Sequence, residues 1–162
     1  MNSNANVELP ERAGEPIDAR SQDLLFRKAR SYKGWQDRPV SKETIAELYA
    51  LTRFGPTSGN CCPARFVFLS STEGRERLLP AMMDGNKPAI QKCGVAVIIA
   101  PDLEFYEHWE KLYPFGGPPD GYRADPDLAE STAFRNGSLQ GAYFILAARS
   151  LGLDVNPMSG FD

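Results

Sequence analysis

Histidine is almost missing from this chain. His108 is the only one in 162 residues, and it stands among Glu104, Glu107 and Glu110 on what reads as a solvated helix face. A hydrolytic triad built on histidine therefore has no support, and neither does a zinc centre, because Cys61 and Cys62 have no partners at ligand spacing. Cysteine is scarce too. Cys61, Cys62 and Cys93 are an odd count with two adjacent members, which is not a disulfide framework. Long apolar runs are lacking: the longest, Val95 to Ala100, falls far short of a bilayer span, and residues 1–20 contain no apolar secretory core. These absences predict a reducing, cytoplasmic setting and no membrane partner. No P-loop and no GxGxxG fingerprint occurs, so a nucleotide-binding Rossmann domain is unsupported. The formal net charge of -3 gives no broad footprint for nucleic acid.

What is present suits one globular domain, with 42% hydrophobic and 24% charged residues. Residues 1–20 lack periodicity and read as a flexible arm, leaving residues 21–162 as the domain. A short helix is expected from Leu24 to Ala29. A second begins at an Ser41 N-cap and stops near Phe54-Gly55-Pro56. Arg65 to Leu69 reads as a strand, and Thr72 as the cap of a helix running through Leu78, Leu79 and Met82. Val95 to Ala100, continuous rather than alternating, reads as a fully buried central strand. Pro114 to Asp125 reads as a mobile surface loop, and Asp127 to Leu151 as the longest helix, with Gly152 at its C′ position. Gly137 and Gly141 lie inside that helix, which predicts close approach of another helix, from this chain or from a second subunit. A last strand is expected at Leu153 to Val155. Helices packed on a sheet follow from this order.

Four segments carry chemistry when taken together. Arg30-Ser31-Tyr32-Lys33 offers two cations and a hydroxyl to a phosphate, although basic residues at a helix end also serve the helix dipole. Gly55-Pro56-Thr57-Ser58-Gly59-Asn60 is an open loop with donors and acceptors for the edge of a planar ring, and equally an ordinary turn. Asn86, in Asp84-Gly85-Asn86-Lys87-Pro88, is a polar-edge ligand or a helix cap. Asn156-Pro157-Met158-Ser159-Gly160-Phe161-Asp162 constrains a backbone whose amides can face a site.

In this order the four segments resemble the nitroreductase family. Gly34-Trp35, Tyr49-Ala50-Leu51, Gly55-Pro56-Thr57-Ser58, Asn60-Cys61 with Pro63-Ala64-Arg65, Glu130 with Thr132-Ala133-Phe134-Arg135-Asn136, and Gly152-Leu153-Asp154 strengthen the likeness. So does Pro157 to Asp162. Within the family, the pattern is most similar to the branch containing the malonic semialdehyde reductase of pyrimidine breakdown. The resemblance implies an α+β three-layer sandwich whose antiparallel-rich central sheet is flanked by helices. It also implies a homodimer with FMN at each of two subunit interfaces, and NADH or NADPH as co-substrate.

Carried over by position, Arg30, Ser31 and Lys33 would face the FMN phosphate and ribityl chain. Pro56, Thr57, Ser58 and Asn60 would line the isoalloxazine from the partner subunit, and Asn86 would bond the flavin's polar edge. Pro157, Met158, Ser159 and Gly160 would pack on the other side of the ring, with the backbone amide of Ser159 or Gly160 directed at flavin N5. The expected activity is hydride transfer from NAD(P)H through flavin N5 to a small acceptor: an aldehyde such as malonic semialdehyde, a quinone or a nitro compound. Family members extend beyond the segment matching Pro157 to Asp162, so the C-terminal strand and arm are expected to be missing here. The alternative reading is accordingly a truncated or degenerate member that binds flavin weakly and is not catalytically active. Packing near the ring is the expected role of Cys61 and Cys62.

Overall fold

The computed structural model describes residues 14–162, so most of the arm expected over residues 1–20 lies outside the described residues. Helix α1 (Ala19–Gln22) starts at Asp18, whose carboxylate accepts from the Ser21 amide, and passes into a π-turn over Asp23–Arg27. Helix α2 (Lys42–Thr52) begins at Ser41 as expected, with the serine hydroxyl accepting from the Thr44 amide. Strand β1 (Ala64–Leu69) is followed by α3 (Thr72–Leu78) and α4 (Lys87–Lys92), and strand β2 (Ala96–Pro101) by α5 (Trp109–Leu112) and α6 (Asp120–Ala124). The long helix α7 (Pro126–Ser150) closes the series.

β1 and β2 form an antiparallel pair in which Phe66 faces Ile99 and Phe68 faces Val97. Opposed residues share a face, so these four side chains point one way. They meet α2 and α7: Phe66, Phe68 and Val97 pack on Leu48, Phe144, Ala147 and Ala148. The Phe66 and Phe144 rings stack with centroids 5.1 Å apart. The opposite face carries the Leu69–Ala96 pair, which packs with Ile90, Cys93, Leu78 and Leu79 from α3, α4 and the turn between them. Helix, sheet and helix thus form three layers, as the α+β expectation requires. A third cluster gathers Cys61, Phe105, Ala129 and Ala133 under the N-terminal half of α7.

Several expectations are corrected. β2 is not fully buried: Ile98 and Val67, paired on the face away from α7, remain 37% and 49% exposed, because the α3–α4 layer covers only the Leu69–Ala96 end. Leu153 to Val155 forms no strand, since no described neighbour offers it a ladder. Leu153 instead ends α7, donating its amide to Ala148 O at 2.9 Å beside Gly152 at φ 75°, and Leu153 and Val155 pack on the α2–α7 core. Ser71, not Thr72, caps α3, because the Ser71 hydroxyl takes the Gly74 amide. The expected loop from Pro114 to Asp125 contains α6. Gly137 and Gly141 face a strand rather than a helix. A Cβ there would meet Pro101 at 3.7 Å and Ile99 at 3.8 Å, ordinary contact distances.

Candidate active site

The closing segment is bound to the turn before α4. Gly160 O accepts from the Met83 amide at 3.0 Å and from Asn86 Nδ2 at 3.1 Å, while the Asp162 amide donates to Ala81 O at 2.8 Å. Met82 and Phe161 form an isolated antiparallel bridge. Space at Gly160 is tight, for a Cβ would fall 2.7 Å from Asn86 Nδ2 and 2.8 Å from Met83 Sδ. Asn86 occupies the N-cap position of α4, yet its side chain makes no capping bond and spends its amide on the closing segment. Among the described residues, the backbone N–H groups of Ser159 and Gly160 have no acceptor, and Ser159 is exposed. Such donors, held by bonds on their neighbours and open to an incoming group, are what an electron-rich ring atom requires.

Trp35, two residues beyond the basic segment, reaches the same region. Trp35 donates Nε1 to Ala89 O at 2.9 Å, and both Trp35 and Met158 pack on the cluster of Met82, Ile90, Cys93 and Ala96. Arg27 and Lys28 stand close to Arg30 and Lys33 in the sequence, but the structure gives them a different partner. Asp23 pairs with Arg27 at 2.5 Å and Lys28 at 2.7 Å, and those contacts, Lys28 foremost, hold its carboxyl below the usual range. Arg30 and Lys33 have no ion-pair partner among the described residues and are exposed, as is Ser31. One Arg30 nitrogen donates to Arg27 O and Ala29 O, which orders the start of the guanidinium fork.

The loop from Gly55 to Pro63 lies elsewhere, against α7. Asn136, 1% exposed, accepts the Ser58 amide at 2.8 Å and donates to Thr132 O; Gln140 accepts the Ala64 amide at 2.7 Å. Tyr143 donates its hydroxyl to Pro56 O at 2.9 Å, and its ring occupies the space a Gly55 Cβ would need. Within the loop, Thr57 Oγ1 accepts the Cys62 amide, and Asn60 donates Nδ2 to Leu112 O at 2.7 Å. Gly59, Asn60 and Cys62 have φ of 55°, 50° and 41°. Left-handed backbone costs a β-carbon residue such as Cys62 roughly 1–2 kcal/mol, so the surrounding bonds hold the loop in a strained shape. Cys61, 1% exposed in the Phe105 cluster, has its thiol pushed up by burial.

Asn86 and residues 157–160 therefore meet at the start of α4, and Trp35, two residues beyond the basic segment, packs on the same helix. Among the described residues, no hydrogen bond joins Pro56, Thr57, Ser58 or Asn60 to them. Asn136 lies in a segment that carries the family resemblance, but its role in shaping the loop, and those of Gln140 and Tyr143, have as sequence signal only polar residues recurring on the buried stripe of a long helix. Among the described residues no helix is long and apolar enough to cross a membrane, and no cluster of possible metal ligands occurs.

Comparison with known proteins supplies the family. In structure the chain is similar to a protein of Exiguobacterium sibiricum assigned as a nitroreductase and solved with FMN, at 20% identity and a TM-score of 0.77 over 91% of this chain and 77% of that one. A gut-bacterial enone reductase of fatty acid saturation metabolism gives 21% identity and a TM-score of 0.74, covering 91% of this chain and 78% of that one. An NADPH:FMN oxidoreductase of Vibrio harveyi complexed with NAD+ gives 16% and 0.62, covering 83% and 53%. At these identities the likenesses show a shared fold. The model of the Nitroreductase family matches residues 26–162, most of the sequence, and the chain belongs to that family.

Proposed function

We propose that the protein is an FMN-dependent oxidoreductase that passes reducing equivalents from NADH or NADPH to a small acceptor. The observation that carries this reading is the pair of unbonded amide N–H groups at Ser159 and Gly160, fixed by the two bonds to Gly160 O. The charge and hydrogen-bonding capacity of these residues support the cofactor. Arg30 and Lys33, without described acidic partners, would hold the phosphate, with Ser31 adding a hydroxyl. Pro157 and Met158 would pack on the ring, Asn86 would meet its polar edge while fixing Gly160, and the Ser159 or Gly160 amide would donate to N5. When bound, FMN supplies the hydride chemistry at N5, so the chain needs no side-chain nucleophile of its own.

A homodimer completes the site in this reading. Among the described residues Pro56, Thr57 and Ser58 make no hydrogen bond to the α4 region, and a partner would bring its own copy of the loop to the ring. Exposed apolar residues on α7, Phe134 at 68% and Leu139 at 42%, support such an interface. The enone reductase and the NADPH:FMN oxidoreductase among the structural relatives agree with redox chemistry of this kind.

The branch likeness favours malonic semialdehyde as acceptor, and an aromatic-walled cavity supports a neutral planar one as the alternative. A cavity of about 320 Å³ beside the Gly59–Asn60 turn is walled by Trp109, Tyr113, Pro114 and Pro118, and Glu110 is its only charged residue. An anionic aldehyde acid finds no cation there, while a quinone or nitroaromatic can stack. Steady-state turnover with NADH and NADPH against quinones, nitroaromatics and malonic semialdehyde is the test. Quinone and nitro reduction at higher kcat/KM than the aldehyde is expected. A preparation inert towards every acceptor would leave the protein as a family member that binds flavin weakly and turns nothing over.

A further inference from the structure

We propose that Asn60 is a positioning residue: its side chain latches the aromatic segment 109–118 onto the Gly55–Pro63 loop, and so shapes the cavity in which the acceptor docks. The inference rests on the flavin-dependent activity proposed above. It also changes the role expected of Asn60 from ring contact to support.

Both ends of the Asn60 amide are engaged inside the protein. Nδ2 donates to Leu112 O at 2.7 Å, and Oδ1 accepts the Cys62 thiol at 3.3 Å. Leu112 is the last residue of α5, where carbonyls lose their helical partners, so Asn60 caps that end from 52 positions away. The adjacent residue makes the second hold. Gly59, at φ 55°, lies against the Trp109 ring so closely that a Cβ would fall 2.8 Å from Trp109 Cη2. Trp109 then folds the segment back on itself. Its Nε1 donates to Gly117 O at 2.9 Å, and the Tyr113 ring stands edge-on to it at 5.3 Å. Behind Trp109, the Tyr122 and Phe105 rings anchor the segment to the α7 core. The hydrogen bond from Asn60 and the aromatic contact on Gly59 thus tie the cavity walls named above to the Gly55–Pro63 loop, beside the Tyr122 and Phe105 contacts that tie them to α7. Left-handed backbone explains the choice of residue, since asparagine tolerates φ of 50° and still carries a donor.

The test uses the full-length chain loaded with FMN, in the wild type and in the variants Asn60→Asp and Asn60→Gly. Aspartate keeps the shape and the backbone tolerance but replaces the donor with an acceptor. Glycine keeps the backbone and removes the side chain. Losing one hydrogen bond of ordinary strength corresponds to about a three- to tenfold rise in the KM for 1,4-benzoquinone. Flavin affinity, the KM for NADH and kcat at saturating quinone should hold steady, and amides of residues 109–118 should exchange hydrogen faster in both variants. An unchanged quinone KM with unchanged exchange, or a loss of flavin in step with activity, overturns the latch while leaving the flavin reading intact. A wild type that takes up no FMN and reduces no acceptor overturns both.

Discussion

At the scale of single residues, two glycines do what no other residue can. Gly55 leaves room for the Tyr143 ring, which holds Pro56 O through its hydroxyl. Gly55→Ala drives a methyl group into that ring, and overpacking of this kind costs about 1–3 kcal/mol. Urea denaturation should show a lower midpoint, and combined with Tyr143→Ala the loss should be smaller than the sum of the two single losses, because the clash needs the ring. Gly160 is the second: its crowding by Asn86 and Met83 makes Gly160→Ala disturb the amides beside it. The buried thiols give a pH prediction. Desolvation is the largest influence on both Cys61 and Cys93 and pushes them up, so the folded state keeps its thiol protons at pH values where the unfolded chain loses them. Their contribution is therefore complete below the ordinary thiol pKa of about 8.5 and is lost as pH rises beyond it. Urea midpoints should fall on moving from neutral to alkaline pH, and the fall should be shallower in Cys61→Ala with Cys93→Ala.

Among the elements, α7 organises the site side as well as the core. Asn136→Ala strands the Ser58 amide and removes a buried bond, a loss of roughly 1–3 kcal/mol. The Ser58 amide should then exchange faster with solvent than those of α2, which do not depend on Asn136. Local signals made much of this architecture legible. The Ser41 cap, the strand around Phe66 and Phe68, the Gly152 stop and the extent of α7 all follow from residues within a few positions of each other. What escaped depends on distant partners. Leu153 to Val155 has β propensity but no ladder, and Asn86 in a capping position turns instead to Gly160, 74 residues on. Burial of β2 follows from which helices cover it, which a run of apolar residues does not encode. Of the expected site, Asn86 and the closing segment are joined through Gly160 O. Separating Lys28 from Lys33 needed the Asp23 contact, which is invisible without coordinates.

For the molecule as a whole, the exposed apolar residues of α7 and the lack of any hydrogen bond between the 56–58 loop and the α4 region among the described residues lead to one expectation. Size-exclusion chromatography with light scattering should give the mass of two chains, and Phe134→Asp, placing charge at a residue 68% exposed, should shift it towards one. The dimer should also bind FMN more tightly than the shifted variant, because each site would draw on both chains. The central claim, a flavin site built on Arg30, Lys33 and the amides of Ser159 and Gly160, is met most directly by titrating FMN into the purified protein, following quenching of flavin fluorescence, and then adding NADH without oxygen. Saturable uptake of one FMN per chain, weakened about tenfold or more by Arg30→Ala with Lys33→Ala, and bleaching of the flavin band by the nucleotide are the predicted results. Fluorescence that never quenches, or uptake indifferent to both substitutions, would contradict the account.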